Sequence, residues 1–139
     1  TVPSLAIGYD RLETTEGTVY RSNTLRYLLR GSSAAGTYAP ASDLLRFETA
    51  LREGRLLSPE LAASAMSAKP EYNAPEYGYG FDVADHGRII GHRGTFAGIS
   101  SNMDMFPESE YTTIVLSNQT DGRNELVDRL RRWILNSGD

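Results

Sequence analysis

Between Tyr77 and Asn118 the chain reads as strands and turns, and this run limits the fold more than any other part of the sequence. Tyr77-Gly-Tyr-Gly-Phe-Asp-Val83 alternates with period two, the pattern of a half-buried strand. Asp85-His86-Gly87 is a turn into residues 88–92, so the two segments predict a hairpin. Residues 99–105 and 111–117 flank the polar turn Pro107-Glu-Ser-Glu110 and predict a second one.

Helix signals lie on either side of this run. Ser42 reads as an N-cap with Asp43 behind it at the positive end of the dipole. Leu44, Leu45, Phe47 and Leu51 then form an apolar stripe, and Gly54 stops the helix. Ser58-Pro59-Glu60 opens a second helix that should end near Ser67, before Pro70. Thr120 or Asp121 caps a last helix in which Leu126, Val127, Leu130, Trp133 and Ile134 supply the buried face. Upstream, short strands at 5–9 and 18–20 flank a polar turn ending at Gly17, and Gly31-Ser-Ser-Ala-Ala-Gly36 is a small-residue connector.

The sum is an α+β layout: an antiparallel meander of about four strands, plus short N-terminal strands, packed against a C-terminal helix with two helices in the middle. The 139 residues make one unit, with strands and a connector over 1–36, two helices over 37–69, the sheet over 77–118 and the last helix over 121–136. No internal repeat is visible.

Composition narrows the chemistry. The net charge is −4, and the basic side chains, all arginine except Lys69, are scattered. Arg129, Arg131 and Arg132 form the one cluster, which reads as the solvated face of the last helix. No basic stripe suits a phosphate backbone, so nucleic acid is set aside as a partner. The chain has no cysteine, which excludes disulfides, cysteine-ligated zinc and a thiol nucleophile. No apolar run approaches the ~18 residues of a membrane span, and the opening residues lack the basic-then-apolar pattern of a leader. Two histidines without matched acidic spacing make a poor metal site, and no cofactor is implied.

One site can be argued from the residues. In the strand ending Gly91-His92, Ile90 and His92 share a face. Gly94 follows, where the missing side chain lets another chain or ligand approach the backbone. The Thr95 amide beyond it could face a developing negative charge, and His92 could donate to a carboxylate or relay a proton. On spacing alone the residues also fit a plain reading, with His92 a partly buried, hydrogen-bonded strand residue and Gly94 a turn. His86 falls in a solvated turn. Ser32, Ser33, Ser100 and Ser101 have no adjacent base, and no Gly-x-Ser-x-Gly elbow exists. Tyr72, Tyr77 and Tyr79 either line a pocket or pack on the sheet.

Five segments in order carry a resemblance. They are Gly36-Thr-Tyr-Ala-Pro-Ala-Ser-Asp-Leu-Leu-Arg-Phe47, Gly54-x-Leu-Leu-Ser-Pro-Glu60, Tyr77-Gly-Tyr-Gly-Phe81, Gly91-His-Arg-Gly-Thr-Phe-Ala-Gly98 and Ile114-Val-Leu-Ser-Asn118. Together they resemble the C-terminal part of the serine β-lactamase-like hydrolases, which include class C β-lactamases, penicillin-binding-protein-like peptidases and related esterases. The resemblance implies part of a β-lactamase/transpeptidase-like fold. It also implies acyl transfer to a serine, with hydrolysis of an ester, peptide or β-lactam amide and no cofactor. The parent protein would then be periplasmic or secreted, acting on a small-molecule or peptide substrate.

The family uses Ser-x-x-Lys for nucleophile and base, Tyr-x-Asn for proton transfer, and Lys-Thr-Gly or His-x-Gly on the strand beside the substrate. Here His92-Arg93-Gly94 matches the third. By the resemblance His92 stands in the lysine position, Gly94 is the close-approach glycine and the Thr95 amide is an oxyanion donor. Arg93 and Phe96 flank the substrate on the same strand. Counting from Asn118 puts Arg123 and Leu126 where cephalosporinase-type members place an Asn and an Arg for the substrate carboxylate. Histidine in the lysine position points to esterase-like or peptidase-like members more than to dedicated β-lactamases.

The other two motifs are missing from these residues. Lys69 has Met66 three positions before it, and no tyrosine is followed two positions later by asparagine. The expectation is that the nucleophile belongs to upstream polypeptide outside this sequence. The segment alone should then lack acyl transfer and should expose a sheet edge that draws copies of it together. The alternative is a binding or regulatory module that kept the sheet and lost the chemistry.

Overall fold

The computed structural model describes residues 5–24, 31–32 and 35–137. The opening residues 1–4, and Ser33 and Ala34 of the small-residue connector, lie outside the described residues. An N-terminal hairpin, β1 (Tyr9–Thr14) and β2 (Gly17–Ser22), is followed by helices α1 (Ala41–Arg52) and α2 (Pro59–Ala65). Then come β3 (Asp82–Ala84), β4 (Ile89–Phe96), β5 (Ile99–Phe106), β6 (Tyr111–Ser117) and helix α3 (Asn124–Asn136). The last four strands form one antiparallel sheet in sequence order, and β1–β2 form a separate two-stranded sheet. The α+β layout expected above is the one observed.

Local chemistry accounts for most boundaries. Ser58 caps α2 by accepting from the Leu61 N–H at 3.3 Å, with Pro59 in the first turn. Gly54 follows the α1 cap residue in the left-handed region at φ 71°. Other boundaries differ from the sequence reading. The first strand, expected at 5–9, runs Tyr9–Thr14, and α1 starts at Ala41 with Pro40, not Ser42, in the cap position. The strand expected over 77–83 shrinks to β3, with Tyr77 touching Asp82 through an isolated bridge. The Gly78 N–H bonds the Phe81 carbonyl and the Tyr79 N–H bonds the Ala65 carbonyl, which turns the segment back onto the end of α2.

β4, expected to open into a loop at His92, instead continues to Phe96. Its turn into β5 is only Ala97-Gly98, with Gly98 at φ 77°. Helix α3 begins at Asn124 rather than near Asp121, because the Thr120 hydroxyl does not cap it. That oxygen accepts the Gly98 N–H at 2.9 Å instead.

Register assigns the two faces of the large sheet. Ile90, His92, Gly94 and Phe96 lie opposite Met105, Met103, Ser101 and Ile99, so these residues share one face. Leu51 of α1 and Met66 after α2 line a cavity with Ile90, Met105 and Thr112 on this face. The other face carries Gly91, Arg93 and Thr95 opposite Asp104, Asn102 and Ser100, and α3 lies over it. The apolar core on the α3 side joins Ile89, Phe106 and Ile134, with Ala84 and Leu135 packed against them, whereas Leu126 and Trp133, expected on the buried face of the helix, are exposed.

The α3 face also holds charge. Arg131 donates from Nε and Nη2 to both oxygens of Asp104, at 2.7 and 2.8 Å, and the Asp104 side chain is only 3% exposed. That fork holds the Arg131 pKa above its ordinary value. The solvated arginine cluster expected at 129, 131 and 132 therefore loses its middle member, because Arg131 faces the polar side of β5 while Arg129 pairs with Glu125 on the surface.

The N-terminal hairpin docks on the turns of the sheet. The Tyr9 N–H is shared between the carbonyls of Gly98 and Asn118, at 3.2 and 2.8 Å. Buried Asn23 donates its side-chain amide to the Ala97 carbonyl at 2.8 Å. Gly8 leaves no space for a side chain here: a Cβ would stand 2.4 Å from the Gly98 carbonyl oxygen.

Candidate functional site

β3 pairs with β4 only at residues 89–91, so the outer edge of β4 from His92 to Phe96 is covered by no strand among the described residues. The inner edge is fully laddered to β5, which fixes the backbone and turns alternate N–H and C=O groups to the outer side. Every residue from His92 through Phe96 is exposed. Among the described residues, this stretch is where the sheet brings an unpaired outer strand edge and an imidazole together.

His92 sits on the face toward α1 and α2. Its Nε2 lies 3.1 Å from the Tyr77 hydroxyl, and the two rings meet edge to face with centroids 6.1 Å apart. Gly94 lies two residues on, opposite Ser101, and a Cβ at Gly94 would come within 3.3 Å of the Ser101 hydroxyl. Phe96, more than half exposed, continues the same face.

On the opposite face Arg123, just before α3, reaches under the strand end. Its Nη2 donates to the Thr95 hydroxyl at 3.1 Å, and its Nη1 approaches Asn102 Oδ1 at 3.5 Å. Arg123 Nε and Asn102 Nδ2 are buried without a hydrogen-bond partner among the described residues. Each is a buried donor left unmatched, which is a costly arrangement. Arg93, also on this face, lies 3.7 Å from Asp82 in a largely exposed pair that contributes little.

Of the six residues singled out from the sequence, the structure places His92, Arg93, Gly94, Thr95 and Phe96 on the open-edged half of β4, and Arg123 joins them through Thr95. His92 and Arg123 do not meet, because strand alternation sends them to opposite faces with the free backbone edge between. Two partners were missed. In the sequence Tyr77 fits pocket lining or sheet packing, and no spacing rule links it to a histidine fifteen positions later. Asn102 was legible in principle, since a two-residue turn at Ala97-Gly98 puts 93 opposite 102. No group of three or more metal-ligating side chains gathers among the described residues. No helix there is long and apolar enough to cross a membrane.

Comparison with known proteins identifies the family and the fold. The family model named Beta-lactamase matches residues 2–136. Penicillin-binding protein 4* of Bacillus subtilis (strain 168) is 32% identical over 118 residues, which cover 81% of this chain and 24% of that relative. The crystal structure of a penicillin binding protein from Bacillus halodurans superposes with a TM-score of 0.78, at 21% identity, over 96% of this chain and 41% of that one. The chain therefore spans about a quarter of the curated relative it matches. With the family model matching nearly its whole length, the chain belongs to the beta-lactamase family.

Proposed function

We propose that these residues form the C-terminal part of a β-lactamase-like domain and supply the substrate-side strand of a serine acyl-transfer centre. In this reading a serine hydroxyl from polypeptide outside the 139 residues attacks the carbonyl carbon of an ester, peptide or β-lactam amide. Negative charge builds on the carbonyl oxygen, and the Thr95 N–H, on the open edge of β4, donates to it as one of two oxyanion contacts. Gly94 lets the substrate lie against the strand. His92 lies where it can donate to the substrate or take part in proton movement, and Arg93 and Phe96 border the bound group. Arg123, with Asn102 behind it, offers donors to an anionic substituent.

The observation that carries this reading is the open, inner-laddered edge of β4 with an exposed imidazole at its start and a guanidinium at its end. Support for a nucleophile elsewhere comes from the sequence, which holds neither Ser-x-x-Lys nor Tyr-x-Asn. The free edge also supports self-association of the 139-residue segment when it is produced alone. Light scattering at micromolar to millimolar concentration tests this, and a monomer throughout would refute it.

The deciding experiment treats the protein with its flanking polypeptide, and the 139-residue segment alone, with a fluorescent penicillin and a p-nitrophenyl ester. Expected are ester turnover and a label on a serine outside these residues in the longer protein, with neither in the segment. His92→Gln should lower kcat/KM by about 10²-fold or more. A label on a serine within the segment, or full activity in His92→Gln, refutes the proposal. Tight substrate binding with no covalent step in any form would favour the binding-module reading.

A further inference from the structure

The contact between Tyr77 and His92 is built more firmly than chance packing of two exposed rings requires. Tyr77 is held from both sides through its backbone: its carbonyl accepts the Lys69 N–H at 3.0 Å, and its own N–H reaches the Ala74 carbonyl at 3.3 Å. Its neighbours are pinned as well. The Gly78 N–H bonds the Phe81 carbonyl and the Tyr79 N–H bonds the Ala65 carbonyl, each at 2.8 Å. A Cβ on Gly78 would stand 2.2 Å from the Ala65 carbonyl oxygen, so the segment lies directly against the end of α2.

Lys69 locks the same loop from beneath. Its buried side chain donates to the Ser67 hydroxyl at 2.7 Å and sits 5.0 Å above the Tyr79 ring. The Tyr77 ring thus leaves a backbone with little freedom, and its hydroxyl arrives 3.1 Å from His92 Nε2.

Chemistry decides which group donates. A phenol is the more acidic partner, and its oxygen lone pairs are partly withdrawn into the ring. A neutral imidazole nitrogen is the stronger acceptor. A Tyr O–H directed at Nε2 leaves the ring's single proton on Nδ1, since the hydrogen bond at one nitrogen settles the state of the other. We propose that Tyr77 is a positioning residue: its hydroxyl donates to His92 Nε2, fixing the ring's direction and its Nδ1–H tautomer, so that His92 meets the substrate as an Nδ1–H donor. The proposal rests on His92 belonging to the substrate site, as argued above, but its test does not depend on turnover.

The protein is labelled with ¹⁵N-histidine, and long-range ¹H–¹⁵N spectra are recorded at alkaline pH, where imidazoles are neutral. The His92 signals are assigned by their loss in His92→Gln. The expected result is Nδ1 protonated and Nε2 unprotonated in the wild-type protein. In Tyr77→Phe, which keeps the ring, the tautomer ratio should move toward Nε2–H by about fivefold or more. A wild-type His92 that is mainly Nε2–H overturns the proposal. So does a ratio unchanged in Tyr77→Phe, provided its circular dichroism matches wild type. The wild-type spectrum alone decides if the variant fails to fold. Acylation without the Nδ1–H tautomer would sink this inference and spare the proposed function, whereas the tautomer without acylation would do the reverse.

Discussion

Arg131→Met removes the guanidinium that holds Asp104 and keeps most of the side-chain volume. The Asp104 side chain is 3% exposed and the Arg131 side chain 26%, so the carboxylate is the deeper partner and has no solvent to fall back on. Losing one member of a buried pair leaves the other's charge uncompensated, which typically costs about 3–5 kcal/mol. Asp104→Asn is milder: the arginine keeps an amide oxygen as acceptor and can turn to water, so the expected cost is about 1–3 kcal/mol. Replacing both, as Asp104→Leu with Arg131→Met, removes charge and desolvation together and should fall within about 1 kcal/mol of wild type, or above it. Unfolding free energies from urea titration, followed by circular dichroism, give the three differences. Two results would refute the reasoning. One is a cost under about 1 kcal/mol for Arg131→Met, the behaviour of a surface pair. The other is a double variant as unstable as the single one.

Two shorter predictions concern other points of the frame. Gly91→Ala places a Cβ 1.9 Å from the Met103 carbonyl oxygen, a backbone atom that cannot swing aside, so β4 and β5 must part locally. A destabilisation of at least about 2 kcal/mol in the same urea titration is expected, and a neutral effect would show that the strands can separate freely. Ser58→Ala deletes the α2 cap and should cost about 1 kcal/mol. It should also move a titration. The Glu60 carboxylate is held below its ordinary value of 4.5 by its own amide first and the Ser58 hydroxyl second. A lowered carboxylate pKa stabilises the fold above the ordinary value and loses that contribution as pH falls through the lowered one. In Ser58→Ala the Glu60 titration, read by NMR, should therefore rise toward 4.5, and an unmoved titration would refute the hydroxyl's role.

The sequence disclosed the meander because its signals are local. Period-two runs and turn residues gave the β5 and β6 boundaries to within a residue or so, and Ser58-Pro59 gave the start of α2. Errors arose where a residue's partner lies far along the chain. Thr120 looks like a helix cap in any local window, but its oxygen is taken by the Gly98 amide. Arg131 sits among arginines on a polar helix, and only the buried Asp104 across the layer reveals which one turns inward. Tyr77 belongs to an alternating run, yet hydrogen bonds to Ala65 and Lys69 fold that run away from the sheet and bring its ring to His92. The same rule holds around the candidate site: His92, Arg93, Gly94 and Thr95 stand out as a stretch of sequence, whereas the contacts of Tyr77 and Asn102 with it depend on the tertiary fold.

The docking of the N-terminal hairpin has a consequence for how the molecule assembles. The meander and each helix close over short loops, but the Asn23 bond to Ala97 spans 74 positions and the Asn118 bond to Ile7 spans 111. Distant pairings are slow to form, because chain entropy is lost before any contact repays it. The hairpin should therefore join late, onto a sheet that already exists. Until it arrives, the Ala97-Gly98 turn lacks its outer hydrogen bonds, and the strand end that carries Thr95 is the last part of the sheet to become rigid.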